Sequence, residues 1–141
     1  MRSYFSAPLL LALLALASPS AQAASPYDED LRAFASELRT VMIRADQPAY
    51  RGAEARLKLR EQLFDISKKL HRLEEEAMGT DLALQQSGSA PSRELTYAAA
   101  IAKSLDLAQD LTARYVETRE KAFSVAAAAA AKTARDLQAA Q

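Results

Sequence analysis

The feature that most constrains this chain is a series of apolar residues whose spacing alternates between four and three positions. Because an α-helix turns once every 3.6 residues, this spacing places every member on one helix face. The alternation also gives the seven-residue period of a coiled coil, so it predicts a long helix that packs against other helices. The series is Leu59, Leu63, Ile66, Leu70, Leu73 and Ala77.

Two further stretches have the same spacing and predict a first and a third helix. The first begins at Ser25-Pro26, a favourable N-cap followed by a favourable first helical residue, and ends near Asp46. The third begins near Pro91 or Ser92, and the lack of any later Gly or Pro predicts that it runs nearly to Gln141. The first series is Tyr27, Leu31, Phe34, Leu38, Val41 and Ala45. The third is Ala98, Ile101, Leu105, Ala108, Thr112, Tyr115, Arg119, Ala122, Ala126 and Ala129.

These patterns predict an all-α fold, an antiparallel three-helix hairpin or bundle with coiled-coil-like seams. The dominant residue types (Ala, Leu, Glu, Arg, Lys and Gln) are good helix formers. The second helix is predicted from about Gln47 to Gln86, the main loop at 87–91, and an Ala-rich helix end at 126–141. Gly79 leaves two alternatives open, since it either lies within one long helix or ends that helix so that Thr80 caps a short fourth one.

The first 24 residues have the pattern of a secretory signal peptide. Arg2 gives a positive start, Leu9–Ala17 is a compact apolar run, and Ala21-Gln22-Ala23 resembles a cleavage site. The apolar run is about half of the ~20 residues that a membrane-spanning helix needs. We therefore expect cleavage after Ala23 or Ala24, a periplasmic or secreted protein, and a single α-helical domain at 25–141.

Charge and composition exclude several classes of function. Loss of Arg2 from a chain with 18 basic and 18 acidic residues leaves a net charge of −1, which argues against nucleic-acid binding. The absence of Cys excludes disulfide scaffolds and thiol catalysts. No set of nucleophile, base and acid is apparent, so we expect no enzymatic activity and no catalytic residues. No later segment is long and apolar enough to span a membrane.

The sequence predicts action through protein–protein contact, as a chaperone-like, adaptor or structural component. The first candidate surface is a line of residues spaced seven apart on the second helix, namely Leu57, Phe64, His71 and Met78. The second arises because the helix lengths do not match, which predicts an open apolar edge at Leu70, Leu73 and Leu105. The expected occupant is another protein or a second copy of the chain, as in a homodimer.

The alternative is a bundle that binds a small ligand, a metal or haem around His71. This residue is the only histidine, with Glu74 and Glu75 on the following turn and Met42 on the first helix as a second candidate ligand. A zinc site needs three or four protein ligands, and methionines at helical spacing usually fill cores. We therefore expect no metal and no cofactor.

Arg119 is out of place in the apolar series of the third helix. Two interpretations remain open from the sequence. Either the series drifts so that the side chain reaches outward to solvent, or Arg119 forms an ion pair with an acidic residue of another helix and so sets the helix register.

Overall fold

Residues 25–141 fold into a bundle of four α-helices. A computed structural model describes residues 25–141, so the predicted signal peptide lies outside the described residues. The helices are α1 (Asp28–Asp46), α2 (Ala53–Gln86), α3 (Arg93–Thr118) and α4 (Lys121–Ala140), with a 3₁₀ turn at Pro48–Tyr50. No β-strand occurs in the described part of the chain. The predicted all-α bundle is confirmed, but residues 25–141 form four helices rather than the predicted three.

Helix α3 is central in the bundle. It packs against α2 and α4 over long interfaces and against α1 over a shorter one, while α1 also packs against α2. Successive helices run in opposite directions. Because α3 meets three neighbours, its buried residues extend beyond the predicted series and include Leu95, Ala102, Gln109 and Val116.

Helix α2 is continuous through Gly79 to Gln86, so a short extra helix after Gly79 is not formed. Gly79 has an ordinary backbone conformation, and there is open space where a Cβ would be. Burial of the apolar face of α2 outweighs the ~1 kcal/mol that Gly costs in a helix. The residues that α2 buries are the six of the predicted series, Leu59, Leu63, Ile66, Leu70, Leu73 and Ala77.

The predicted single helix from 91 to 141 is wrong, because the chain reverses at Arg119. Arg119 adopts the left-handed conformation (φ 60°), and its backbone N–H donates to the carbonyl of Tyr115. This arrangement is a common helix ending, although Gly usually occupies the position. Helix α4 then folds back along α3. The break resets the helical phase, so α4 buries Ala127, Ala130 and Ala134 instead of the predicted Ala126 and Ala129.

The Arg119 side chain fits neither interpretation from the sequence. Its guanidinium donates hydrogen bonds to the carbonyl oxygens of Ala45 and Tyr50, and it lies 5.5 Å from the centre of the Tyr115 ring. The last carbonyls of a helix lack partners within it and carry partial negative charge. Arg119 therefore caps the end of α1 and joins it to the turn between α3 and α4.

The first turn of α1 starts later than predicted. The helix begins at Asp28 with Tyr27 as N-cap, and the side chain of Ser25 instead accepts a hydrogen bond from the backbone of Tyr27 at 3.3 Å. The predicted apolar face of α1 is confirmed. Four of its six residues are buried and the other two, Tyr27 and Phe34, are half-buried against the core.

Candidate functional site

A row of exposed apolar residues runs along the outer face of α2. We call Leu57, Phe64, His71 and Met78 the α2 stripe. Leu57 is 54% exposed, Phe64 62% and Met78 57%, while the His71 side chain is 59% exposed. At about 100° per residue, the stripe lies roughly 140° around the helix from the centre of the buried face. These side chains are therefore not part of the core, although the Lys68 ammonium lies 4.9 Å from the centre of the Phe64 ring.

The predicted open edge at Leu70, Leu73 and Leu105 is wrong. These residues are 0%, 5% and 2% exposed. Two features that the sequence did not indicate cover them. Helix α1 lies along α2 as far as Leu73 and Glu76, and α4 folds back along α3. All three are core residues and cannot form a contact surface in the folded protein.

One residue of the α2 stripe, His71, contacts Asp106 of α3. One carboxylate oxygen of Asp106 lies 3.0 Å from Nε2 of His71, and the other accepts a hydrogen bond from the Ser67 hydroxyl at 2.9 Å. Since Asp106 is only 23% exposed at its side chain, these bonds partly satisfy a carboxylate held at the helix–helix boundary. His71 therefore has a partner on α3 and holds the middle of the stripe in place.

Serine, histidine and aspartate thus meet at one point, but not in the order of a hydrolase triad. In such a triad the histidine lies between the other two and removes the proton of the serine. Here Asp106 lies between Ser67 and His71, so the serine hydroxyl donates to the carboxylate rather than to the imidazole. The arrangement stabilises the α2–α3 contact and supplies no activated nucleophile.

Met42 and His71 lie on different surfaces of the bundle. Met42 lines a groove between α1 and α4, whereas His71 is bonded to Asp106 beside α3. Within residues 25–141 no three His, Cys, Asp or Glu side chains are grouped so that they could hold a metal ion. The structure therefore does not bring together the pair of ligands considered for haem.

The charges along α2 are strongly divided between its two halves. Residues 51–72 contain seven Lys or Arg and three Asp or Glu, while residues 73–92 contain four acidic residues and no basic one. Both halves flank the α2 stripe. A partner helix that runs antiparallel to α2 with the same charge pattern would place unlike charges opposite each other, whereas a parallel copy would place like charges together.

The α1–α4 groove is a site that sequence analysis missed. It has a volume of about 460 Å³ and is lined by α1, α3 and α4. The run of alanines at 126–131 is the signal that could have indicated it, since alanines on a helix face leave space against a neighbouring helix. Without the reversal at Arg119, however, these alanines could not be placed opposite α1.

No helix among the described residues is long and apolar enough to cross a membrane. Comparison of the chain with family models, curated proteins and solved structures gives no match.

Proposed function

We propose that this protein is exported to the periplasm and acts there through protein–protein contact, as an adaptor or structural component built on pairing of its α2 stripe with that of a second copy. The observation that carries this proposal is the exposure of Leu57, Phe64 and Met78 at a spacing of seven residues. Apolar side chains repeated at this spacing are the pattern by which one helix recognises another.

The second copy is favoured over an unrelated partner by the charge division of α2. A twofold axis that passes between Phe64 and His71 sets Phe64 against the copy's His71 and Leu57 against its Met78. The same operation sets the basic half of each helix against the acidic half of the other. Arg60, which is paired with Glu117 of α3 at 2.9 Å, then lies nearest Glu74 of the other copy. Twofold pairing of this kind is the commonest way in which soluble proteins form homo-oligomers.

The size of the stripe predicts a weak contact. From Leu57 to Met78 it extends about 31 Å, and with a width of ~10 Å each copy would bury roughly 300 Å². The total is below the ~1,200 Å² that stable protein interfaces bury. We therefore expect reversible association at micromolar or higher concentrations, and salt should weaken it because unlike surface charges contribute.

Sedimentation equilibrium of the purified protein over a wide range of concentration tests the proposal. The average mass should rise with concentration, and Phe64→Gln should weaken this association at least tenfold. Leu107→Gln is the matched control, because Leu107 is 53% exposed on α3 and lies outside the stripe. A protein that stays monomeric at millimolar concentration, or one in which both variants act alike, would contradict self-pairing through α2.

A further inference from the structure

The groove between α1 and α4 has both an apolar and a basic part. The two helices each pack on α3, but their contact with each other is not among the principal interfaces of the bundle. Alanines of α4 form one wall, and their small side chains leave about 460 Å³ open.

The apolar half of the groove lies toward the end of α1. Met42 and Ile43 of α1 lie across from Ala127 and Ala128 of α4, and at the last residue of α1 the Asp46 carboxylate also lines the groove, where it accepts a hydrogen bond from the Tyr115 hydroxyl at 2.7 Å. Ile43 is 54% exposed although it borders this concave surface. A site of this size with apolar walls is typical of small-molecule binding sites, which usually have volumes of 300–1,000 Å³.

The basic half lies toward the start of α1, because α4 runs antiparallel to α1. Arg32, Arg39 and Arg135 line this half. Arg32 is paired with Asp28 at 2.9 Å, whereas neither Arg39 nor Arg135 forms an ion pair within residues 25–141. The side-chain nitrogen of Gln138 is buried at the same end and has no hydrogen-bond partner there. A buried donor without a partner is unfavourable, and a bound oxyanion would satisfy it.

We propose that the α1–α4 groove binds a single-chain fatty carboxylate. The head group would accept hydrogen bonds from Arg39, Arg135 and Gln138, and the hydrocarbon chain would lie over Met42, Ile43 and Ala128. Guanidinium groups match the geometry of a carboxylate, and each buried CH₂ contributes ~0.8 kcal/mol of hydrophobic free energy.

The length of the groove suits an extended ligand. The groove runs along residues 32–46 of α1, about 21 Å along the helix axis. A ligand of this length can place a charged end beside Arg135 while its apolar part reaches Met42 and Ile43. A hydrocarbon chain is narrow enough to enter between α1 and α4 without moving them apart.

Calorimetric titration of the purified protein with dodecanoate, below its micelle concentration, tests the proposal. We expect one site per chain, binding of dodecanol at least tenfold weaker, and a similar loss of dodecanoate affinity in the Arg39→Gln/Arg135→Gln variant. Arg93→Gln is the matched control, because Arg93 lies on α3 outside the groove and should leave the affinity unchanged. Phe64→Gln should also leave it unchanged, which separates the groove from the α2 stripe.

A second variant fills the groove without removing charge. Ala131→Leu places a larger side chain opposite α1, so dodecanoate binding should fall at least tenfold while the circular dichroism spectrum remains that of the wild type. The proposal is overturned if dodecanoate does not bind at submillimolar concentration, if dodecanol binds equally well, or if neither groove variant reduces the affinity. Should Ala131→Leu fail to fold, the Arg39→Gln/Arg135→Gln result decides alone.

Discussion

Arg119 donates a hydrogen bond from its guanidinium to the carbonyl oxygen of Ala45, although the two residues lie 74 positions apart. The same residue ends α3 in the left-handed conformation. One side chain therefore fixes both the reversal that creates α4 and the position of the end of α1. The α1–α4 groove depends on both features, so Arg119 is the residue on which the shape of the groove depends.

Replacement of Arg119 should destabilise the protein in a way that separates its two roles. Arg119→Ala loses the bonds to Ala45 and Tyr50, and we expect the free energy of unfolding to fall by about 2 kcal/mol. Arg119→Gly loses the same bonds but adopts a positive φ without strain, so it should be about 1 kcal/mol more stable than Arg119→Ala. Urea unfolding followed by circular dichroism measures both. Equal stability of the two variants would contradict the left-handed helix ending.

The continuity of α2 can be tested at its glycine. Gly79→Ala should raise the free energy of unfolding by about 0.5–1 kcal/mol, because Ala favours a helix and the added Cβ meets no neighbour. Gly88 provides the contrast, since its φ is +97° in the turn after α2. Gly88→Ala should lower the stability by about 1 kcal/mol. If Gly79→Ala instead destabilised the protein, α2 would not be helical at this point.

Two apolar residues on neighbouring turns of α2 should respond differently to truncation. Leu70 is fully buried, and Leu70→Ala should cost about 2–5 kcal/mol because it leaves a cavity in the core. Phe64 is 62% exposed, so Phe64→Ala should change the free energy of unfolding by less than about 0.5 kcal/mol at low protein concentration. Thermal and urea denaturation provide the measurement. A large loss of stability in Phe64→Ala would mean that the α2 stripe belongs to the core.

Removal of Asp106 should lower the free energy of unfolding more than removal of His71. Asp106→Ala leaves Ser67 and His71 without their shared acceptor, and we expect a loss of about 1–2 kcal/mol. His71→Ala should cost less, because the histidine side chain is 59% exposed and solvent replaces its bond. A double-mutant cycle measured by urea denaturation gives the coupling between them. Absence of coupling would show that the two side chains do not interact in solution.

The sequence alone predicts burial correctly where a single helical pattern determines it. The six buried residues of α2 follow from the heptad spacing alone, and the exposed row from Leu57 to Met78 lies on a second line of the same period. The reversal at Arg119 has no such signal, because the residue lacks the conformational freedom of Gly and is held by carbonyls 69 and 74 positions earlier.

That missed reversal accounts for the error at Leu105, which α4 covers. Leu70 and Leu73 are buried for a different reason, because α1 lies along α2 as far as Glu76. Tertiary contacts that join residues distant in the chain determine burial there, and helical periodicity carries no information about them. The α1–α4 groove was missed for the same reason, because its two walls come from opposite ends of the described chain.

Cysteine cross-linking tests self-pairing through the α2 stripe most directly. The chain has no native Cys, so any disulfide formed must join the introduced residues. In an antiparallel pair, residue 57 of one copy lies opposite residue 78 of the other and about 31 Å from its own equivalent. A disulfide requires Cα atoms within ~7 Å. An equimolar mixture of Leu57→Cys and Met78→Cys should therefore form a disulfide-linked dimer of the two variants under mild oxidation, and neither variant should do so alone. Cross-linking of each variant with itself, or none in the mixture at concentrations up to millimolar, would contradict the account.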